Sequence, residues 1–167
     1  MHRRSLLLAL LGWPLLARAG SAPPLYGLRR RGSGSFRRFG FLVYEATLWS
    51  GDESTKQPGP PLALRLDYRR SISGRDIAEA SVREMTRFVA DAARLDAWGD
   101  QMARIFPDVR DGDHLLGVWR PDGAYFYQGD RLIGSIRDAE FARAFFAIWL
   151  DPRSSAPGLR AALLEAV

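Results

Sequence analysis

From Phe36 to Trp49 the chain reads as one long extended run that carries apolar side chains on both faces. Arg38, Leu42, Tyr44, Ala46 and Leu48 fall on one side, while Phe39, Phe41, Val43, Thr47 and Trp49 fall on the other, with Glu45 among them. Such a strand must be covered on two sides, so the run predicts a central strand of a sheet. Leu62 to Arg70 follows with strict alternation: Leu62, Leu64, Leu66 and Tyr68 share one face, and Arg65, Asp67 and Arg69 share the other. Arg70 falls in phase with the apolar face, where a guanidinium needs a partner, a ligand or a route to solvent. Gly32-Ser33-Gly34-Ser35 reads as a turn ahead of the long run, and Gly51 to Pro61 as a polar loop.

Helical periodicity takes over at Ser73-Gly74-Arg75-Asp76, a capping-box-like start. Ile77, Ser81, Met85, Phe88 and Ala92 then form a stripe that predicts a helix to about Ala93. Leu95, Trp98, Met102, Ile105 and Phe106 mark a second helix that Pro107 stops. Three short strands come next, His114–Trp119, Ala124–Gln128 and Arg131–Ile136, joined by Pro121-Asp122-Gly123 and Gly129-Asp130 as an antiparallel meander. Asp138 caps a helix over Ala139–Leu150, and Ser155, Ala156 and Pro157 open a last one through Ala166. Strands, helices, a meander and helices again predict an α+β fold with helices packed on an antiparallel sheet.

The first 19 residues have the layout of a cleaved signal peptide. His2, Arg3 and Arg4 are basic, Leu6 to Leu16 is apolar, and Ala17-Arg18-Ala19 presents small residues for cleavage before Gly20. The apolar run is shorter than the roughly 20 residues that span a bilayer. Arg3-Arg4 before Ser5-Leu6-Leu7 leaves both the general secretory route and the twin-arginine route open. The expectation is a signal over residues 1–19, a single domain over 20–167 and a periplasmic or secreted location, with no transmembrane segment in the mature chain. Without Arg3, Arg4 and Arg18, the 24 basic and 19 acidic residues become 21 against 19. That small excess and the export both argue against a nucleic-acid partner. Arg29-Arg30-Arg31 with Arg37-Arg38 remains as a cluster suited to an anionic ligand or lipid headgroup, or to solvated strand ends.

The residues that carry familiar chemistry are scarce. Cysteine is absent and His114 is the one histidine after the signal, so a Cys/His zinc site is excluded and no metal or other cofactor is expected. No Gly-x-Ser-x-Gly elbow presents a nucleophile, and Gly32-x-Gly34 lacks the third glycine and following helix of a phosphate loop. This inventory points to binding before catalysis.

Four blocks resemble, in order, the bacterial chalcone isomerase-like proteins of the chalcone isomerase and fatty-acid-binding superfamily. They are Gly34 to Trp49, Leu66 to Ser73, Ile105 to Val109 with Gly112-Asp113, and Phe141 to Asp151 with Ser155 to Arg160. The resemblance implies an open-faced β-sandwich, a curved antiparallel sheet with helices on one face and a ligand cleft between. It also implies an arginine near the start of the long strand that faces an anionic group. Arg38 is the match by phase, with Arg31 and Arg37 as alternatives and Phe36 the position by strict spacing. The plant isomerases carry a threonine where this chain has Gly40, and a cleft asparagine, while this chain has no asparagine at all. With these departures the resemblance implies a non-catalytic protein binding a fatty acid or similar amphipathic anion. Strand phase adds that, if both strands turn these faces to one cleft, Arg38, Tyr44, Tyr68 and Arg70 frame it. The alternatives are an intramolecular lyase acting on an enone, and a structural or interaction protein with a filled core. On export, mass spectrometry of the secreted protein should find an N-terminus at Gly20 or within a residue or two. Intact Met1 protein in washed membranes, with no shorter species, would refute the signal peptide.

Overall fold

The computed structural model describes residues 24–51 and 57–165; the expected signal peptide and the expected helix end at Ala166 lie outside them. Six strands form one antiparallel sheet in simple sequence order: β1 (Arg29–Arg38), β2 (Phe41–Ser50), β3 (Leu62–Tyr68), β4 (His114–Arg120), β5 (Gly123–Gln128) and β6 (Arg131–Ile136). Helices α1 (Gly74–Met85) and α2 (Ala92–Ile105) connect β3 to β4, and α3 (Ala139–Leu150) and α4 (Pro157–Leu164) follow β6. The fold is α+β, an open-faced β-sandwich with its helices over one face. The alternating strands supply Leu48, Leu62, Leu64, Phe126 and Ile136 to the inner face, where Phe141, Phe145, Phe146 and Trp149 of α3 pack on them. Phe126 meets Phe106, Phe141 and Phe145 edge-on, and Trp119 stacks on Phe146 at 5.4 Å. The outer face carries a smaller cluster, Ala63, Leu116 and Val118, with Leu25, Leu28 and Trp49 against it.

The long run from Phe36 to Trp49 is two strands. Phe39 (φ 51°) and Gly40 (φ 81°) form a two-residue turn with both backbones left-handed, the geometry that suits the twist of a tight hairpin. The apolar pattern hid this turn because phenylalanine is not a turn former. Gly32-Ser33-Gly34-Ser35, expected as a turn, lies inside β1. Its glycines serve close approach: a Cβ on Gly32 would sit 2.3 Å from the Ala162 carbonyl oxygen of α4. Phe36 pairs with Tyr44 but Arg37 pairs with Leu42, so Val43 is an extra residue, a bulge that resets the alternation of β2.

The first helix ends at Met85 and does not continue to Ala93. Ser73 caps its start as expected, its hydroxyl accepting the Asp76 N–H at 3.0 Å. At the other end Phe88 and Val89 both donate to the Met85 carbonyl, and Asp91 caps a new helix by accepting the Arg94 N–H. The Ile105 to Val109 block joins these elements. Asp108 accepts the Gly74 N–H at 2.9 Å, and Val109 bridges to Ile72. At the last connection, Ser154 donates its hydroxyl to the Ile148 carbonyl at 2.7 Å and fixes the corner before α4.

The α4 contact generates a paired test by urea unfolding. Gly32→Ala should lose about 1–3 kcal/mol, because its methyl group would collide with α4 backbone. Gly158→Ala, at an open position in the same helix, should gain up to about 1 kcal/mol. Equal effects would refute the close-approach account.

Candidate functional site

Between the hairpin end of the sheet and the helices lies a cavity of about 510 Å³. Its floor is an aromatic row across three strands. Phe36 pairs with Tyr44 and Tyr44 with Tyr68 in direct register, with ring centroids 5.0 and 6.1 Å apart. Ile77, Ala80 and Ser81 of α1 and Ile148 and Trp149 of α3 form the roof, and Ser155 and Ala156 close one side. Arg38, Phe39, Phe41 and Arg70 line the mouth. Behind Tyr68 and Ser81 a further void of about 40 Å³ runs toward Gly117 and Phe146.

Tyr44 is half-buried and Tyr68 buried. Trp149 donates its indole N–H to the Tyr44 hydroxyl at 3.0 Å, which leaves the phenolic proton available to a ligand. Burial pushes both phenols well above the usual tyrosine range. For Tyr44 the indole hydrogen bond opposes burial and the charge of Glu84 adds to it; for Tyr68 the neighbouring Tyr44 adds. Both phenols are therefore neutral hydrogen-bond donors at neutral pH. Glu84, also in the cavity wall, is engaged by the Ser155 hydroxyl at 2.7 Å and by Arg87 at 3.3 Å. Asp76 takes the Ser73 hydroxyl at 2.7 Å.

The structure brings Arg38, Tyr44, Tyr68 and Arg70 to one cavity. Arg38 gets there from the end of β1, opposite Phe41, and not along one strand shared with Tyr44. The bulge at Val43 also turns Phe41 to the cavity side, although simple alternation placed it on the far face. Arg70 is exposed beyond β3, its guanidinium 5.3 Å from the Phe41 ring centroid. Arg31 is buried in β1 and does not line the cavity, and Arg37 donates to the Gly40 carbonyl at 3.4 Å. His114 is half-buried in register with Asp67, away from the cavity. Sequence reasoning missed Trp149, Ser155 and Glu84. Trp149 belonged to an aromatic helix stripe that reads as core, and only long-range packing sets its indole on Tyr44. Among the described residues no three His, Cys, Asp or Glu side chains gather as a metal site.

The class this geometry defines is an open-faced antiparallel sheet with an apolar, helix-roofed cavity at one end. The family model described as chalcone isomerase-like matches residues 27–165, and the chain belongs to that family. An uncharacterized protein of Haemophilus influenzae is 29% identical over 144 residues, which cover 86% of this chain and 71% of that protein. The crystal structure of a fatty-acid binding protein of Arabidopsis thaliana superposes with a TM-score of 0.64 at 12% identity, over 83% of this chain and 87% of the other. That likeness shows the shared fold.

The buried phenols generate a pH test. A phenol whose folded pKa is raised stabilises the fold fully below its unfolded value, and that stability is lost as pH rises. The loss should begin near pH 10, the ordinary tyrosine value, because the unfolded chain ionises first. The unfolding free energy from urea titrations should fall above pH 10 by about 1.4 kcal/mol per pH unit more in wild type than in Tyr68→Phe. Parallel profiles would refute the burial of a protonated Tyr68.

Proposed function

We propose that this protein binds a fatty acid or a similar amphipathic anion in the cavity without transforming it, as an exported carrier or sensor. The observation that carries this reading is the division of the cavity. Its interior is apolar and aromatic with two protonated phenols, and at its mouth Arg38 and Arg70 form no ion pair among the described residues. An alkyl chain gains roughly 25 cal/mol for each Å² of apolar surface buried. A carboxylate would take charge-assisted hydrogen bonds from the guanidiniums and a neutral one from a phenol. The family, and the likeness to a fatty-acid binding protein of Arabidopsis thaliana, support the same reading. Export rests on the signal-like residues 1–19.

The alternatives fare less well. An intramolecular lyase needs donors held against a carbonyl and a nucleophile. The position of the plant threonine is Gly40, which lies in the hairpin turn, and the chain offers no asparagine. A protein with a merely filled core would not keep a cavity of about 510 Å³.

Titration of a long-chain fatty acid into wild type, Arg38→Met and Arg70→Met tests the reading. Binding by wild type is expected, with at least tenfold weaker affinity in one variant, the equivalent of about 1.5–3 kcal/mol for a charge-assisted bond. No binding by wild type, or equal binding by all three, would overturn it. A saturable chalcone cyclisation rate that disappears in Arg38→Met would instead establish the lyase.

A further inference from the structure

The β1–β2 hairpin carries two large apolar side chains into solvent beside the cavity mouth. Phe39 is 86% exposed and Phe41 is 64% exposed. Phe39 also occupies a left-handed backbone position, φ 51°, where glycine or asparagine would sit with less strain. Neither packing nor turn geometry accounts for a phenylalanine there. The charged groups set against the two rings are cations. Arg37, Arg38 and Arg70 form no ion pair with a carboxylate among the described residues. The guanidiniums of Arg38 and Arg70 stand 5.4 and 5.3 Å from the ring centroids of Phe39 and Phe41, so cation and aromatic ring are presented together. The carboxylates near this end are engaged: Glu45 pairs with Arg69, Glu84 with Arg87, and Asp76 accepts from Ser73.

We infer that this hairpin tip is a membrane-docking element that seats on an anionic phospholipid bilayer. Phe39 and Phe41 enter the headgroup boundary, the three arginines meet the negative surface, and the cavity mouth faces the lipid. Exposed aromatics flanked by cations match the two attractions that hold a peripheral protein at such a surface, apolar insertion and electrostatics. No helix among the described residues is long and apolar enough to cross a membrane, so the attachment is peripheral for this part of the chain. Docking goes beyond ligand binding and gives the cavity direct access to a lipid source.

The absence of cysteine makes the test site-specific. The full chain carrying Phe39→Cys, or Leu132→Cys at an exposed apolar site on β6, is labelled with a polarity-sensitive fluorophore. Each is mixed with phosphatidylcholine vesicles prepared with or without phosphatidylglycerol. The expected result is a blue shift for Phe39→Cys only with the anionic vesicles, and none for Leu132→Cys. In co-sedimentation, Arg37→Gln should bind anionic vesicles about fivefold more weakly, the worth of one cation near such a surface, with an unchanged urea midpoint. Phe39→Gly should also lose binding while its stability holds or rises, which a purely structural role for Phe39 would not allow. Residues 1–19 are common to every arm, so differences between arms belong to the hairpin. No shift at Phe39→Cys, equal shifts at both labels, or equal response to neutral vesicles would overturn the inference. No fatty acid is added, so failure here leaves the cavity reading standing, and failure of the titration leaves docking standing.

Discussion

The packing of α3 on the inner face of the sheet sets the geometry of everything else. Phe141, Phe145, Phe146 and Trp149 occupy the ground over β4 and β5, where Phe126 and Trp119 rise to meet them. A six-stranded sheet offers more inner surface than that helix covers. At the β1 side the cover comes from α4, which the absent side chain of Gly32 lets approach closely. Over the hairpin end of β1–β3, α1 and the last turn of α3 roof the sheet without filling the space above it, and the cavity is the gap beneath them. The site is thus a consequence of how far the helix layer reaches. Trp149 belongs to both regions, its ring packed on Phe145 and its indole N–H on Tyr44.

The polar groups of the cavity divide by depth. Deep in it are phenols, which tolerate burial because their neutral form is the one they hold at neutral pH. The guanidiniums, which cannot be neutralised at ordinary pH, stand at the mouth with solvent access. The carboxylates near the opening are tied to serine hydroxyls or arginines. This arrangement admits an anionic headgroup without stranding a buried charge, and it leaves the apolar interior for a chain. The same division sets cationic and aromatic side chains together at the hairpin tip.

The regular elements were legible because each has a local cause. Asp138 at a helix start, Pro107 after a helix end and the glycine turns of the meander act within a few residues. α3 and the three strands of the meander accordingly lie within a residue or so of the bounds that pattern implied. The misreadings share one cause as well. Phe39-Gly40 looks like the middle of an apolar strand, and Gly32 to Ser35 looks like a turn. What distinguishes them is contact with distant parts of the chain, namely the pairing of β1 with β2 and the approach of α4. The break after Met85 was hidden because the apolar stripe continues across it, although the Asp91 cap was there to be read.

By itself, the sequence determined the α+β class, the order of elements and the resemblance that the family match bears out, since periodicity and capping are local properties and motif order survives divergence. It also singled out Arg70, a charge in phase with an apolar face that ends in Tyr68, while the resemblance pointed to Arg38, in phase with Tyr44. Tertiary structure alone decided that these four border one cavity. It did so through a turn at Phe39-Gly40 that folds β1 back on β2, and a bulge at Val43 that resets the facing of Phe41. It alone added Trp149 and Ser155, from residues more than a hundred positions from Tyr44. The physical reason is that a strand's facing depends on its parity, which one extra residue inverts, while a cavity depends on where distant helices roof the sheet without filling the space above it.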